Sequence, residues 1–193
     1  KCPTRYYNIG ICEPSIVNMA AGLSKSGLNP VVHTIAPFIT ERAFEQIKLD
    51  FGYQKQNVNL ISVGGSFDYS QLGCSHHCYS DVSLISHLKR GNVVIPGSPI
   101  EFIKIFKEIY NNNSINYFRL PEVPHDHDFD ESNVKFGKSI KVKEGSDLTL
   151  AVTGTQLKNA LQVSESLERE GISIEILYVI QSNLLEILLI IIW

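Results

Sequence analysis

Val58-Asn59-Leu60-Ile61-Ser62-Val63, running straight into Gly64-Gly65, is the most informative stretch of the 193-residue chain. Six residues of near-continuous apolar character mark a strand covered on both faces, the usual situation in a parallel sheet. A loop containing glycine follows, Gly64–His77, where a parallel sheet places its ligands. On the N-terminal side, Tyr7–Ile11 and Pro30–Thr34 read as strands. Between them, Glu13-Pro14 opens a helix over Ser15–Lys25, since a proline in the first turn loses no bond, and Gly27 stops it. Thr40–Tyr53 reads as a helix with Phe44, Ile47 and Phe51 on one stripe.

On the C-terminal side the alternation continues. Asp81–Leu88 reads as a helix, Asn92–Ile95 as a strand ended by Pro96-Gly97, and Ser114–Leu120 as a strand. Pro99–Asn111 is an amphipathic helix, with Ile100, Ile103, Phe106, Ile109 and Tyr110 at helical spacing. Residues 121–137 hold proline, histidine, aspartate and asparagine without periodicity and read as a linker. Leu148–Thr153, Gln156–Glu170 and Ile172–Val179 then form one strand-helix-strand unit. The expected fold is an α/β, doubly wound and mostly parallel sheet over residues 1–120, a linker over 121–145, and the start of a second α/β domain, truncated, over 146–193.

Hydrophobic residues make up 44% and charged residues 19%, an ordinary globular α/β composition. The net charge of -3 supplies no basic field for nucleic acid. Cys2, Cys12, Cys74 and Cys78 read as free thiols of a reducing cytoplasm. No apolar run reaches bilayer-spanning length. Leu184–Trp193 comes nearest, but it is ten residues long and contains Glu186, so it reads as a buried strand or helix, or as the product of a truncated chain end.

Four places can carry chemistry. Glu13, at a strand-to-helix junction, is either a buried carboxylate held for function or a charge complementing the helix dipole. Adjacent His76 and His77 follow Leu72-Gly73-Cys74-Ser75 in the long loop and suit hydrogen bonding to a polyhydroxy substrate or proton transfer near neutral pH. Cys74 and Cys78 flank them, a weak zinc signal without a second pair. His125-Asp126-His127-Asp128-Phe129-Asp130 reads as a solvated acidic loop. Phe38, after the second strand, is either core or a platform for a cofactor ring.

The order of these pieces resembles the transketolase family. Arg5-Tyr6-Tyr7-Asn8-Ile9-Gly10-Ile11-Cys12-Glu13, with Ala20-Ala21-Gly22-Leu23, is similar to its "RF(I/F)(N/D)VGIAEQ…AAGLA" signature. Phe38, Arg42 and Glu45-Gln46-Ile47 follow the pattern of the next strand and helix. Val63-Gly64-Gly65-Ser66-Phe67, Leu72-Gly73-Cys74-Ser75-His76-His77, Asp81, Val94-Ile95-Pro96-Gly97-Ser98-Pro99 and Tyr117-Phe118-Arg119-Leu120 resemble the C-terminal subunit of two-piece transketolases. Leu150-Ala151-Val152-Thr153-Gly154-Thr155 resembles the opening of the family's third domain.

The resemblance implies a subunit that transfers a ketol group from a ketose donor to an aldose acceptor using thiamine diphosphate. Glu13 is implied to contact the aminopyrimidine ring nitrogen, Phe38 to stack on that ring, and Arg42 to lie with them. His76 is implied to hold substrate hydroxyls, with His77 beside it, and Arg119 to hold a substrate phosphate. No GDG followed by Asn occurs, so Mg²⁺ and the diphosphate are expected on an N-terminal-type partner subunit carrying that motif, with a homodimer contact as well. An acidic residue of fused transketolases is replaced by Leu72, and a phosphate-binding histidine falls at Gly64. The strand before Arg5 is expected to be missing. Rival readings are a deoxyxylulose phosphate synthase-like subunit, a 2-oxo acid dehydrogenase beta-like subunit, and a truncated non-catalytic remnant.

Overall fold

A computed structural model describes residues 3–181. The Leu184–Trp193 segment and Cys2 lie outside the described residues. Four parallel strands make the first sheet: β1 (Val31–Ile35), β2 (Val58–Val63), β3 (Gly91–Val94) and β4 (Ile115–Leu120), in the order β1-β2-β4-β3. β2 lies between β1 and β4, and Val58 and Leu60 are fully buried, so its apolar run is covered as a central parallel strand requires.

Helix α1 (Glu13–Lys25) packs Val17, Ala20 and Ala21 into the core with Val32, Leu60 and Tyr117. α2 (Ala36–Thr40) follows β1 directly, with Pro37 in its first turn. A turn at residues 41–43 separates it from α3 (Phe44–Gln46), which continues as a π-helical stretch, Ile47–Tyr53. The single helix expected over 40–53 is therefore broken, although Ile47 and Phe51 bury completely as their spacing predicted. α4 (Asp81–Ser86) and α5 (Pro99–Ile109) complete this layer, the latter capped by the Ser98 side chain accepting from the Glu101 N–H.

A second sheet of order β5-β7-β6 consists of β5 (Ser139–Lys143), β6 (Leu148–Val152) and β7 (Ile174–Val179), with α6 (Gln156–Arg169) between the last two. β6 and β7 are parallel; β5 is antiparallel to β7. Ile105, Ile109 and Phe118 share one buried cluster with Leu157, Ile174, Ile176 and Tyr178, so the two sheets are joined by a continuous apolar contact.

Further expectations are corrected. Tyr7–Ile11 forms no strand: Asn8 Oδ1 accepts from the Gly10 N–H, a local turn that competes with pairing, and Ile11 is exposed. The segment expected to be an irregular linker supplies β5, whose Ile140 and Val142 alternate with Lys141 and Lys143 as an edge strand should. α5 buries Glu101, Ile105 and Ile109 and leaves Ile100 and Ile103 half exposed, because the polar partners of Glu101 turn that face inward.

His125 explains that turn and corrects the reading of 125–130 as wholly solvated. Its side chain is buried, and Nε2 lies 2.8 Å from Glu101 Oε1. Tyr178 of β7 donates to Glu101 Oε2 at 2.7 Å, and the Gly97 N–H donates to the same oxygen at 2.8 Å. Phe129 stacks on Tyr178. A residue from α5, one from the connecting segment and one from the second sheet thus share a single buried polar contact.

Candidate active site

The residues singled out from the sequence come together where strands β1, β2 and β4 end. A parallel sheet brings all its carboxyl ends to one edge, and loops from different parts of the chain meet there. Glu13 opens α1 and is 7% exposed, its carboxylate turned inward rather than toward water. Arg42, in the turn after α2, donates from Nη1 to Glu13 Oε2 at 3.0 Å. Oε1 has no hydrogen-bond partner among the described residues.

The Arg42 guanidinium carbon also lies 4.1 Å from the centroid of the Phe38 ring. A planar cation can pair with a carboxylate at its edge while resting on an aromatic face, and arginine is the side chain built for both. Phe38, partly exposed on α2, meets the His76 ring edge-on with centroids 5.2 Å apart. Four residues separated in sequence therefore form one connected line: Glu13, Arg42, Phe38, His76.

The long loop after β2 is pinned at its base. Ser66 and Cys78 exchange backbone hydrogen bonds of 2.6 and 2.8 Å, closing the loop that carries His76 and His77. His77 packs edge-on against Phe67, and its buried Nε2 has no partner among the described residues. Gly64 adopts φ +74°, and a Cβ there would lie 2.4 Å from the Tyr69 ring, so a histidine at this position would collide.

Arg119 stands at the end of β4, beside this loop. Its Nε donates to Asp81 Oδ2 at 2.8 Å, and Tyr117 donates its hydroxyl to the same oxygen at 2.7 Å. Tyr117 and Arg119 alternate along one strand and so face the same side. Burial first, then the neighbouring Asp81 charge, pushes the Tyr117 hydroxyl well above its ordinary pKa, so it remains a donor. Arg119 Nη2 reaches Ser66 Oγ at 2.7 Å. Asp81, Ser66 and Tyr117 were not expected as site residues. The signal available was the Tyr117-x-Arg119 alternation, which puts two donors on one face of β4.

Cys74 is exposed, whereas Cys78 is buried against Thr40 and Glu41. Among the described residues, no group of three or more His, Cys, Asp or Glu side chains is placed to hold a metal ion.

The family described as transketolase, pyrimidine binding domain, matches residues 1–123. The chain belongs to the transketolase family. Among relatives of this transketolase-family chain, a subunit of apulose-4-phosphate transketolase from Phocaeicola vulgatus is 29% identical over 177 residues, covering 91% of this chain and 57% of its own length. The subunit of the same description from Actinobacillus succinogenes is 30% identical over 179 residues, covering 92% and 57%. A solved structure described as a split gene transketolase, inactive beta4 tetramer, superposes with a TM-score of 0.82 at 29% identity, covering 93% of this chain and 57% of that one. The chain thus spans a little over half the length of these relatives.

Among the described residues, no helix is long and apolar enough to cross a membrane.

Proposed function

We propose that this chain is the pyrimidine-binding part of a split, thiamine-diphosphate-dependent transketolase that moves a ketol group from a ketose to an aldose. The observation that carries the reading is the continuous line from the buried Glu13 carboxylate through Arg42 and Phe38 to His76. The residues fit an aminopyrimidine: a carboxylate oxygen without a protein partner can meet a ring nitrogen, and a partly exposed aromatic ring lies close by. When bound, the cofactor supplies the electron sink for breaking and making the carbon–carbon bond.

The chain's own share is binding and positioning. Glu13 holds the proton on the pyrimidine nitrogen, and Arg42 fixes the orientation of that carboxylate from its other oxygen. Phe38 offers a face to the ring. His76, braced by Phe38 and by Ser75 Oγ 3.1 Å from its Nδ1, holds a reacting hydroxyl of the sugar. A partner subunit with a GDG…N motif holds the diphosphate and Mg²⁺, and two of each chain build a heterotetramer in the cytoplasm. The likeness to subunits of apulose-4-phosphate transketolase and to a split gene transketolase supports this division.

The test is reconstitution with a partner carrying GDG…N. Tight cofactor binding and ketol transfer are expected only with both chains present. Glu13→Ala is expected to lower turnover by at least about a hundredfold with the fold kept. Normal turnover in that variant would overturn the reading.

A further inference from the structure

Between Ser132 and Lys143 the sequence carries four lysines and no carboxylate, in a chain whose net charge is -3. Two of the four are engaged. Lys141 Nζ pairs with Glu144 and Glu175, each at 3.1 Å, and Lys143 Nζ with Glu168 at 2.8 Å. Lys135 and Lys138 are exposed, and neither makes an ion pair among the described residues.

The backbone brings these two lysines together. The Lys138 N–H donates to the Lys135 carbonyl at 3.3 Å, closing a four-residue turn, and Gly137 has φ +81° at its third position, where a type II turn takes a positive φ. The ends of such a turn lie within about 7 Å of each other, Cα to Cα. The turn is also anchored. Val134 and Phe136, on either side of Lys135, pack with the apolar cluster that joins the two sheets, and the Phe136 N–H donates to Glu108 of α5 at 3.0 Å.

A cavity of about 320 Å³ opens here, lined by Ser132, Asn133 and Lys135 together with the consecutive residues Lys138–Lys141. Alternate strand residues point to opposite faces, so neighbours along β5 share a cavity only at the strand's edge. β5 is bonded to β7 alone, so its other edge is open, and its outward N–H groups meet no strand among the described residues. The carboxylates nearest in sequence are turned elsewhere: Asp130 accepts from the Ser132 N–H at 2.8 Å, and Glu131 pairs with Lys104 at 3.6 Å. A partner strand would need a long groove, whereas turn residues 132–135 leave a cavity at the lower end of the size range for small-molecule sites.

We infer that this cavity binds the phosphate group of a small phosphorylated metabolite. Lys135 and Lys138 meet the dianion as point charges, and N–H groups on the open edge of β5 add donors. Lys141, already neutralised by two carboxylates, lines the wall without adding charge. The site uses none of the residues from Glu13 to His76 that make the candidate active site, and it does not rest on the transketolase reading.

The experiment is lysine acetylation of the full chain, followed residue by residue by peptide mass spectrometry. A pentose 5-phosphate and a nucleoside 5′-monophosphate, each at about 5 mM, are compared with sodium chloride at equal ionic strength. One or both phosphorylated probes are expected to slow modification of Lys135 and Lys138 at least about threefold relative to chloride, with the exposed Lys25 and Lys55 unchanged. The arm that protects names the source of the phosphate. In Lys138→Gln, a surface change, protection of Lys135 is expected to fall at least about twofold, because the dianion loses one of its two cations. Equal slowing by chloride, equal slowing at Lys25 and Lys55, or protection of Lys135 undiminished in Lys138→Gln overturns the inference.

Discussion

Arg42 and Glu13 stand 29 residues apart in the chain and meet at 3.0 Å, with the Arg42 guanidinium lying over Phe38. One side chain thus ties the start of α1 to α2 and fixes the direction in which the buried carboxylate points. Charge alone would satisfy Glu13; the planar group is needed to rest on the ring as well.

That geometry separates two substitutions. Arg42→Lys keeps the charge and loses the planar contact, whereas Arg42→Ala loses both. Cofactor affinity of the assembled complex is expected to fall about threefold in the first and about tenfold in the second, roughly 0.6 and 1.4 kcal/mol. Titration of thiamine diphosphate into each complex measures this. Equal affinities in all three would show that Arg42 does not position the site.

Asp81 is 1% exposed and accepts from both Tyr117 and Arg119. Asp81→Ala leaves the guanidinium without its counter-charge in a confined place, and should cost about 3–5 kcal/mol. Tyr117→Phe removes one donor and leaves the ion pair intact, so about 1 kcal/mol is expected. Urea denaturation of the two variants gives the comparison. A smaller loss for Asp81→Ala than for Tyr117→Phe contradicts this account.

The Glu101 contact adds one carboxylate's share to the acid stability of the fold. Burial pushes its pKa up, but hydrogen bonds from His125, the Gly97 N–H and Tyr178 outweigh that and hold it below its ordinary 4.5. A carboxylate with a lowered folded-state pKa adds stability that is fully present above its unfolded value. That contribution is lost as pH falls through the folded value. Glu101→Gln should therefore flatten the loss of stability below about pH 4.5 while lowering stability near neutrality. Chemical denaturation at about pH 3.5, 5 and 7 tests the crossover. An unchanged acid limb in the variant would mean that other groups control it.

Thiol reactivity offers a test without a partner. Burial, then the Asp81 charge, pushes the Cys78 thiol up to about 12, while Cys12 and Cys74 are exposed. At about pH 8 an alkylating reagent should modify Cys12 and Cys74 readily and reach Cys78 only on unfolding. Peptide mapping by mass spectrometry reads each site. Rapid labelling of Cys78 in the folded chain would place it elsewhere than beneath Thr40 and Glu41.

Much of the architecture could be read from local pattern. β2 has the bounds its apolar run predicted, and α1, α6 and β4 lie within a few residues of their expected spans, because burial on a regular element imposes a period on the sequence. β5 was hidden by its composition: an edge strand needs only Ile140 and Val142 between lysines, and that pattern is easily lost in a polar segment. The missed face of α5 has a different cause. Its isoleucines give several stripes of similar quality, and the choice was made by Glu101 finding His125 and Tyr178, the latter 77 residues away.

The same division runs through the candidate site. By itself the sequence determined a parallel α/β sheet and marked Glu13, Phe38, His76 and His77 by residue type and position, which are local properties, while Arg42 and Arg119 were added by the family resemblance. Only the tertiary structure decided that Arg42 serves Glu13 and Phe38 while Arg119 serves Asp81. Which cation meets which carboxylate depends on the distances at which separate loops arrive at the sheet's edge, and no local period in the chain encodes those distances.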